Sequence, residues 1–176
     1  NTSPLINLGK ANALDLIPSL FTKEEFEVVI PTEVIDEIKP PLDRKVKQMH
    51  KEGKILISPP FISSVMNSVI QVAQEIAMNA NTWEPKQHYT EAYVIVKGEL
   101  AKSSLGGAFV LIDEKDAKTI ARQKGLRVMN HIDIIRDCVR KEIITQDDGL
   151  HLLETLVSKG IKYKPGMLEH YKIVLS

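Results

Sequence analysis

Ala108-Phe109-Val110-Leu111-Ile112-Asp113 is a short apolar run that ends on a carboxylate. The run has the length and continuity of a buried strand. Behind it, Glu114 to Lys124 reads as a helix stopped by Gly125, and Leu126-Arg127-Val128-Met129 as a second short strand. Strand, helix, strand in that order argues for a parallel βαβ unit. Asp113 then falls at the C-terminal end of a strand, the end at which open parallel sheets bind ligands. A charge placed there is costly to bury, so Asp113 is either a ligand-bearing residue or the N-cap of the helix that follows.

The pattern continues on both sides. Ser3 to Lys10 and Asn12 to Phe21 read as two short helices, the second with Leu14, Ile17 and Leu20 at helical spacing and Asn12 as N-cap. Phe26 to Ile30 reads as a buried strand that Pro31 stops. Thr32 is the expected N-cap of a helix that turns Val34, Ile35 and Ile38 inward and ends at Pro40-Pro41, with Glu37 on its last turn and Glu33 in a capping role. Asp43 to Glu52 is a basic helix closed by Gly53, Lys54 to Ser58 a strand, and Ile62 to Met78 a long amphipathic helix. A helix over about Pro85 to Ala101 carries Glu91. After the βαβ unit, helices are expected at Ile132–Lys141 and Asp147–Lys159, and residues 162–176 form a small appended helix or strand.

With 176 residues the chain can bury a full core as one domain, 1–176, without disulfides. Hydrophobic residues make up 43% and charged residues 26%, which excludes disordered and fibrous classes. Cys138 is the only cysteine and lies on the apolar side of its helix, so it reads as packing rather than as a nucleophile. Lacking a disulfide framework, a bilayer-spanning apolar run and a signal-like segment, the chain reads as cytoplasmic, with no membrane partner. Lys plus Arg equals Asp plus Glu, so RNA would have to be held by a local basic patch or a bound metal. The remaining histidines (His50, His88, His151 and His170) show no zinc-ligand spacing, and no Gly-rich phosphate loop, nucleophile elbow or dinucleotide fingerprint is present.

Four phrases lie in order along this framework: Asn1-Thr2-Ser3-Pro4-Leu5, Val29-Ile30-Pro31-Thr32-Glu33-Val34-Ile35-Asp36-Glu37, His88-Tyr89-Thr90-Glu91-Ala92 and Val110-Leu111-Ile112-Asp113-Glu114. Together they resemble the PIN-domain ribonuclease family, including the VapC-like toxins. The resemblance implies an α/β fold, a three-layer α/β/α sandwich with a central parallel sheet. It also implies a strand immediately ahead of Asn1; because the chain begins at that residue, this strand is expected to be trimmed or missing. The acidic positions of the family match Asn1, Glu37, Glu91 and Asp113, with Glu37 preferred over Glu33 and Asp36 on spacing, and with Asp116 and then Glu114 next after Asp113. Asn1 stands where most of the family has Asp, and Asn130-His131 where it usually has Gly-Thr; His131 and Asp133 are then either contributors to the site or, the preferred reading for His131, a satisfied surface residue.

What the resemblance implies for function follows from those positions. Glu37, Glu91 and Asp113 would be catalytic and would hold Mg²⁺ or Mn²⁺ with Asn1 assisting, because hard cations take oxygen ligands and can activate a water against a phosphodiester. From the residues themselves, Lys39, Arg44, Lys45 and Lys47, near Glu37 in sequence, offer either a basic ridge for an RNA backbone or the solvated face of an amphipathic helix, and Trp83 and Tyr89 either stack on an unpaired base or pack locally. The chain would be a metal-dependent endoribonuclease, as the toxin of a toxin–antitoxin pair with an antitoxin partner and a homodimeric state. The alternative is a catalytically weakened PIN-like module that binds RNA or protein. A receiver-type phosphoacceptor domain also sets acidic residues at strand ends, but the order of motifs does not fit it.

Overall fold

The computed structural model describes residues 2–22 and 26–175. In chain order the elements are α1 (Thr2–Lys10), α2 (Leu16–Leu20), β1 (Val29–Pro31), α3 (Thr32–Glu37), α4 (Leu42–Lys51), β2 (Leu56–Ser58) and α5 (Ser63–Asn79). A 3-10 turn at Pro85–His88 then leads into α6 (Tyr89–Leu105), followed by β3 (Phe109–Leu111), α7 (Lys115–Gln123), β4 (Arg127–Met129), α8 (His131–Arg140), α9 (Gln146–Ser158) and α10 (Met167–Leu175).

The expected βαβ unit is present. β3 and β4 are parallel, with Val110 opposite Val128, and α7 lies between them in sequence. β1 and β2 form a second parallel pair, with Ile30 opposite Ile57. One continuous central sheet was expected; the described residues instead form these two pairs, each of two strands. The pairs are not joined because a cleft of about 920 Å³ separates them, lined by Glu27–Pro31 on one side and Ala108–Leu111 on the other.

Two apolar cores account for the rest of the packing. One gathers Leu8, Leu14, Val34, Val46, Ile134, Ile135, Leu153 and Leu156, drawing on α1 to α4, α8 and α9. The other gathers Val69, Ile76, Ile95, Val110, Ile112 and Ala121 from α5, α6, α7 and β3. Gly98 is required where α6 crosses β3: a Cβ there would stand 2.6 Å from Val110 Cγ1. The C-terminal helix α10 buries Leu175 in the first core.

Helix ends correct several expectations. Asn12 has φ 55° and sits in the turn after α1 rather than capping a helix. The second helix shrinks to Leu16–Leu20 because that turn consumes the residues before it. Pro31 ends β1 and stands at the N-cap of α3, so Thr32 is the first helical residue; its hydroxyl is spent on the Ser58 carbonyl at 2.6 Å, tying α3 to β2. Glu33 accepts from the Phe61 amide at 3.0 Å instead of capping with Thr32. Phe26 is exposed and the strand starts at Val29. Cys138 is fully buried, its thiol directed at the Leu16 carbonyl and pushed up to about 11 by burial, with the Asp137 charge acting in the same direction. Among the described residues no helix is long and apolar enough to cross a membrane.

Candidate functional site: two carboxylate groups anchored on one helix

Pro31 sets the start of α3, and six residues later that helix ends on Glu37, an exposed residue. Two hydroxyls fix its carboxylate. Thr2 Oγ1, at the start of α1, donates to Oε2 at 2.6 Å, and Thr90 Oγ1, in the first turn of α6, donates to Oε1. Both hydroxyls belong to buried residues. Glu91 follows Thr90 and is partly buried. Burial pushes its carboxyl above the ordinary value, and the negative charge of Glu37 acts in the same direction, with its own backbone hydrogen bond and His88 working against both. Glu37 is an exposed residue, so the part-buried Glu91 is the member of the pair whose ionisation is made harder.

Asp113 occupies different surroundings. It directly follows the β3 run, and three donors converge on it: Asn7 Nδ2 to Oδ2 at 2.7 Å, His131 Nδ1 to Oδ2 at 2.8 Å, and the His131 backbone N–H to Oδ1 at 3.2 Å. His131 is 7% exposed, which corrects the expectation of a surface histidine; it opens α8 directly after β4, and the turn to the helix carries it under Asp113. Its other ring nitrogen meets Tyr163 Oη at 3.1 Å. Asn7, Thr2, Thr90 and Tyr163 are therefore the residues that sequence reasoning missed as site partners, whereas His131 was considered for the site and set aside. The Asn-His pair after β4 was the available signal, since it replaces small residues beside an acidic strand end.

Both groups are anchored on α1, through Thr2 and Asn7. Five residues along a helix rise about 7.5 Å and turn about 140°, so the two anchors face different ways. Among the described residues no three acidic, histidine or cysteine side chains gather as a metal cluster. The donor chemistry at Glu37 and Glu91 nevertheless fits a hard divalent cation: the donors are all oxygen, two like charges oppose each other, and magnesium is commonly bound through one or two carboxylates while keeping several waters. Asp113 already accepts three hydrogen bonds.

The remaining expected positions have other partners. Glu114 caps α7, accepting from the amides of Asp116 at 2.9 Å and Ala117 at 2.5 Å. Asp116 accepts from Asn79 Nδ2 at 2.7 Å. Asn1 lies outside the described residues. Of the basic positions, Lys45 pairs with Asp15 at 3.2 Å and Lys47 with Asp43 at 3.5 Å, whereas Lys39 and Arg44 are exposed. Tyr89 packs against the second core, and Trp83 is 94% exposed.

A family model described as a PIN domain matches residues 1–174, and the chain belongs to the PIN-domain family. PIN domains are generally nucleases and typically use divalent metals. No curated protein and no solved structure matches the chain.

Proposed function

We propose that this PIN domain is an endoribonuclease that cleaves RNA phosphodiesters with Mg²⁺ or Mn²⁺ bound at Glu37 and Glu91, Asn1 assisting, and Asp113 held through the second anchor on α1. The observation that carries this reading is the part-buried Glu91 carboxyl, pushed up by burial with the charge of the exposed Glu37 acting in the same direction, an arrangement a cation relieves. When bound, such a cation supplies an activated water and neutralises phosphate oxygens. The chain's own residues set the frame: Thr2 and Thr90 hold the Glu37 carboxylate in one orientation, and α1 fixes its spacing from Asp113. Of the four expected basic positions, Lys39 and Arg44 are exposed and, among the described residues, have no ion pair that would hold them from an RNA backbone. A toxin role with an antitoxin partner and a homodimeric state belongs to the same proposal, with residues 1–176 as one domain and 162–176 its C-terminal appendage.

The test is cleavage of a mixed structured-RNA substrate by the purified chain in Mn²⁺ or Mg²⁺, with EDTA and Glu37→Gln controls. Cutting that disappears in both controls supports the nuclease. A second reading, a catalytically weakened module that binds RNA or protein, is favoured by the three donors that already satisfy Asp113; intact RNA with measurable binding, from a folded and metal-supplied sample, would select it.

The family architecture enters the same proposal. The two strand pairs are halves of one parallel sheet in a three-layer sandwich, and an extended apolar segment belongs in the cleft between β1 and β3. Thr2 meets Glu37 beyond β1 and Asn7 meets Asp113 beyond β3, so α1 starts where a parallel strand between them would finish. A short apolar extension fused ahead of Asn1 should raise Tm and suppress binding of an apolar dye; no change in either would count against the arrangement.

A further inference from the structure

We infer that Tyr163, in the segment between α9 and α10, is a positioning residue that acts on Asp113 through the His131 ring. The directions of the hydrogen bonds follow from elementary chemistry. An ionised carboxylate only accepts, so the ring nitrogen 2.8 Å from Asp113 Oδ2 is the protonated one, Nδ1. In the neutral ring Nε2 is then an acceptor, and the Tyr163 hydroxyl, 3.1 Å away, donates to it. Hydroxyl, ring and carboxylate thus form one directed chain that selects a single histidine tautomer.

The surroundings hold that chain in place. His131 is buried, and Tyr163 stacks near it with ring centroids 6.2 Å apart while Tyr171 of α10 closes on Tyr163 edge-on at 5.5 Å. Burial raises the Tyr163 hydroxyl well above the ordinary tyrosine value, with Tyr171 and then Asp113 adding to the shift, so it stays a donor. The ring is also anchored through its own backbone, whose N–H donates to the other Asp113 oxygen. Asp113 therefore cannot turn unless the ring turns, and the ring cannot turn without giving up the Tyr163 bond. The last segment of the chain is in this way coupled to a carboxylate that follows β3.

The inference rests on the nuclease reading only for its effect on cleavage. The experiment compares the full chain with Tyr163→Phe, His131→Asn and His131→Ala. In metal-free protein at one fixed pH, two-bond proton–nitrogen NMR correlations of the His131 ring should show the Nδ1–H tautomer, and Tyr163→Phe should move the Nε2 signal toward that of a free imine nitrogen. If the wild type cleaves RNA, Tyr163→Phe should lower kcat roughly 10-fold with KM little changed. His131→Asn, which keeps a donor near the Nδ1 position, should retain more activity than His131→Ala. An Nε2–H tautomer in the wild type, or ring signals and kcat unchanged in Tyr163→Phe, would overturn the inference. A wild-type chain that cuts nothing removes the nuclease reading instead, and the ring spectrum still decides this one.

Discussion

Glu37 with Glu91 and Asp113 with His131 form two acidic regions tied to one helix, and their surroundings are opposite in kind. At Asp113 the donors outnumber the charges: three hydrogen bonds converge on one carboxylate. At Glu37 each carboxylate oxygen accepts from one threonine hydroxyl, and at Glu91 partial burial, with the Glu37 charge acting in the same direction, raises the carboxyl. The three donors hold Asp113 in one orientation. A part-buried carboxyl raised beside a like charge costs stability when ionised, which makes Glu91, with Glu37 next to it in the charge balance, the place to look for the proposed cation.

The sharpest way to break this contrast is to remove each carboxyl in turn. Asp113→Ala strips the acceptor from the buried His131 ring and from Asn7, and should cost about 3 kcal/mol in urea unfolding; Glu37→Ala, whose donors are two hydroxyls, should cost about 1 kcal/mol. Equal losses would mean that the two regions do not differ as described. Gly98→Ala tests the joint between α6, which carries Glu91, and β3, which leads into Asp113. Its Cβ would press on Val110 and on Leu126 Cδ1 at 3.1 Å, and denaturation should register a loss of about 2 kcal/mol.

A smaller effect of opposite sign is expected at Glu91. Its folded value lies above the unfolded one, so the folded state binds a proton more readily and loses stability as pH rises through that window. Glu91→Gln removes this loss: Tm should rise at pH 7, and the difference from wild type should fade as pH falls below about 4.5, the ordinary glutamate value. A variant less stable than wild type at pH 7 would contradict the charge stress assigned to this pair. The smallest effect belongs to Lys45→Ala, which removes an ion pair at the surface with Asp15 and should change unfolding by about 0.5 kcal/mol or less.

Much of the framework was legible because it rests on local rules. The β3–α7–β4 unit, the proline that ends β1, the placement of Glu37 on the last turn of α3 and of Glu91 in the first turn of α6 all follow from apolar period and breaker residues. The cap positions were less legible. Thr32 and Glu33 look like an N-terminal capping pair in sequence, but their side chains found partners in β2 and at Phe61, and those distant contacts decided the outcome. His131 was misplaced for a related reason: a histidine after a short strand has no local signature of burial, and only the packing of α8 under Asp113 supplies one.

The sequence by itself determined the order of strands and helices, the acidic residues at their ends and the family to which the chain belongs, because each of these is written in residue type and spacing. Only the tertiary structure decided that α1 anchors two separate acidic regions, that Asp113 is satisfied by Asn7 and His131, that Tyr163 reaches the same ring from the end of the chain, and that β1 and β3 face each other across a cleft. The physical reason is range. Helical period and capping act over a few residues, whereas the partners of Asp113 lie 106 and 18 positions away and are selected by how the helices pack.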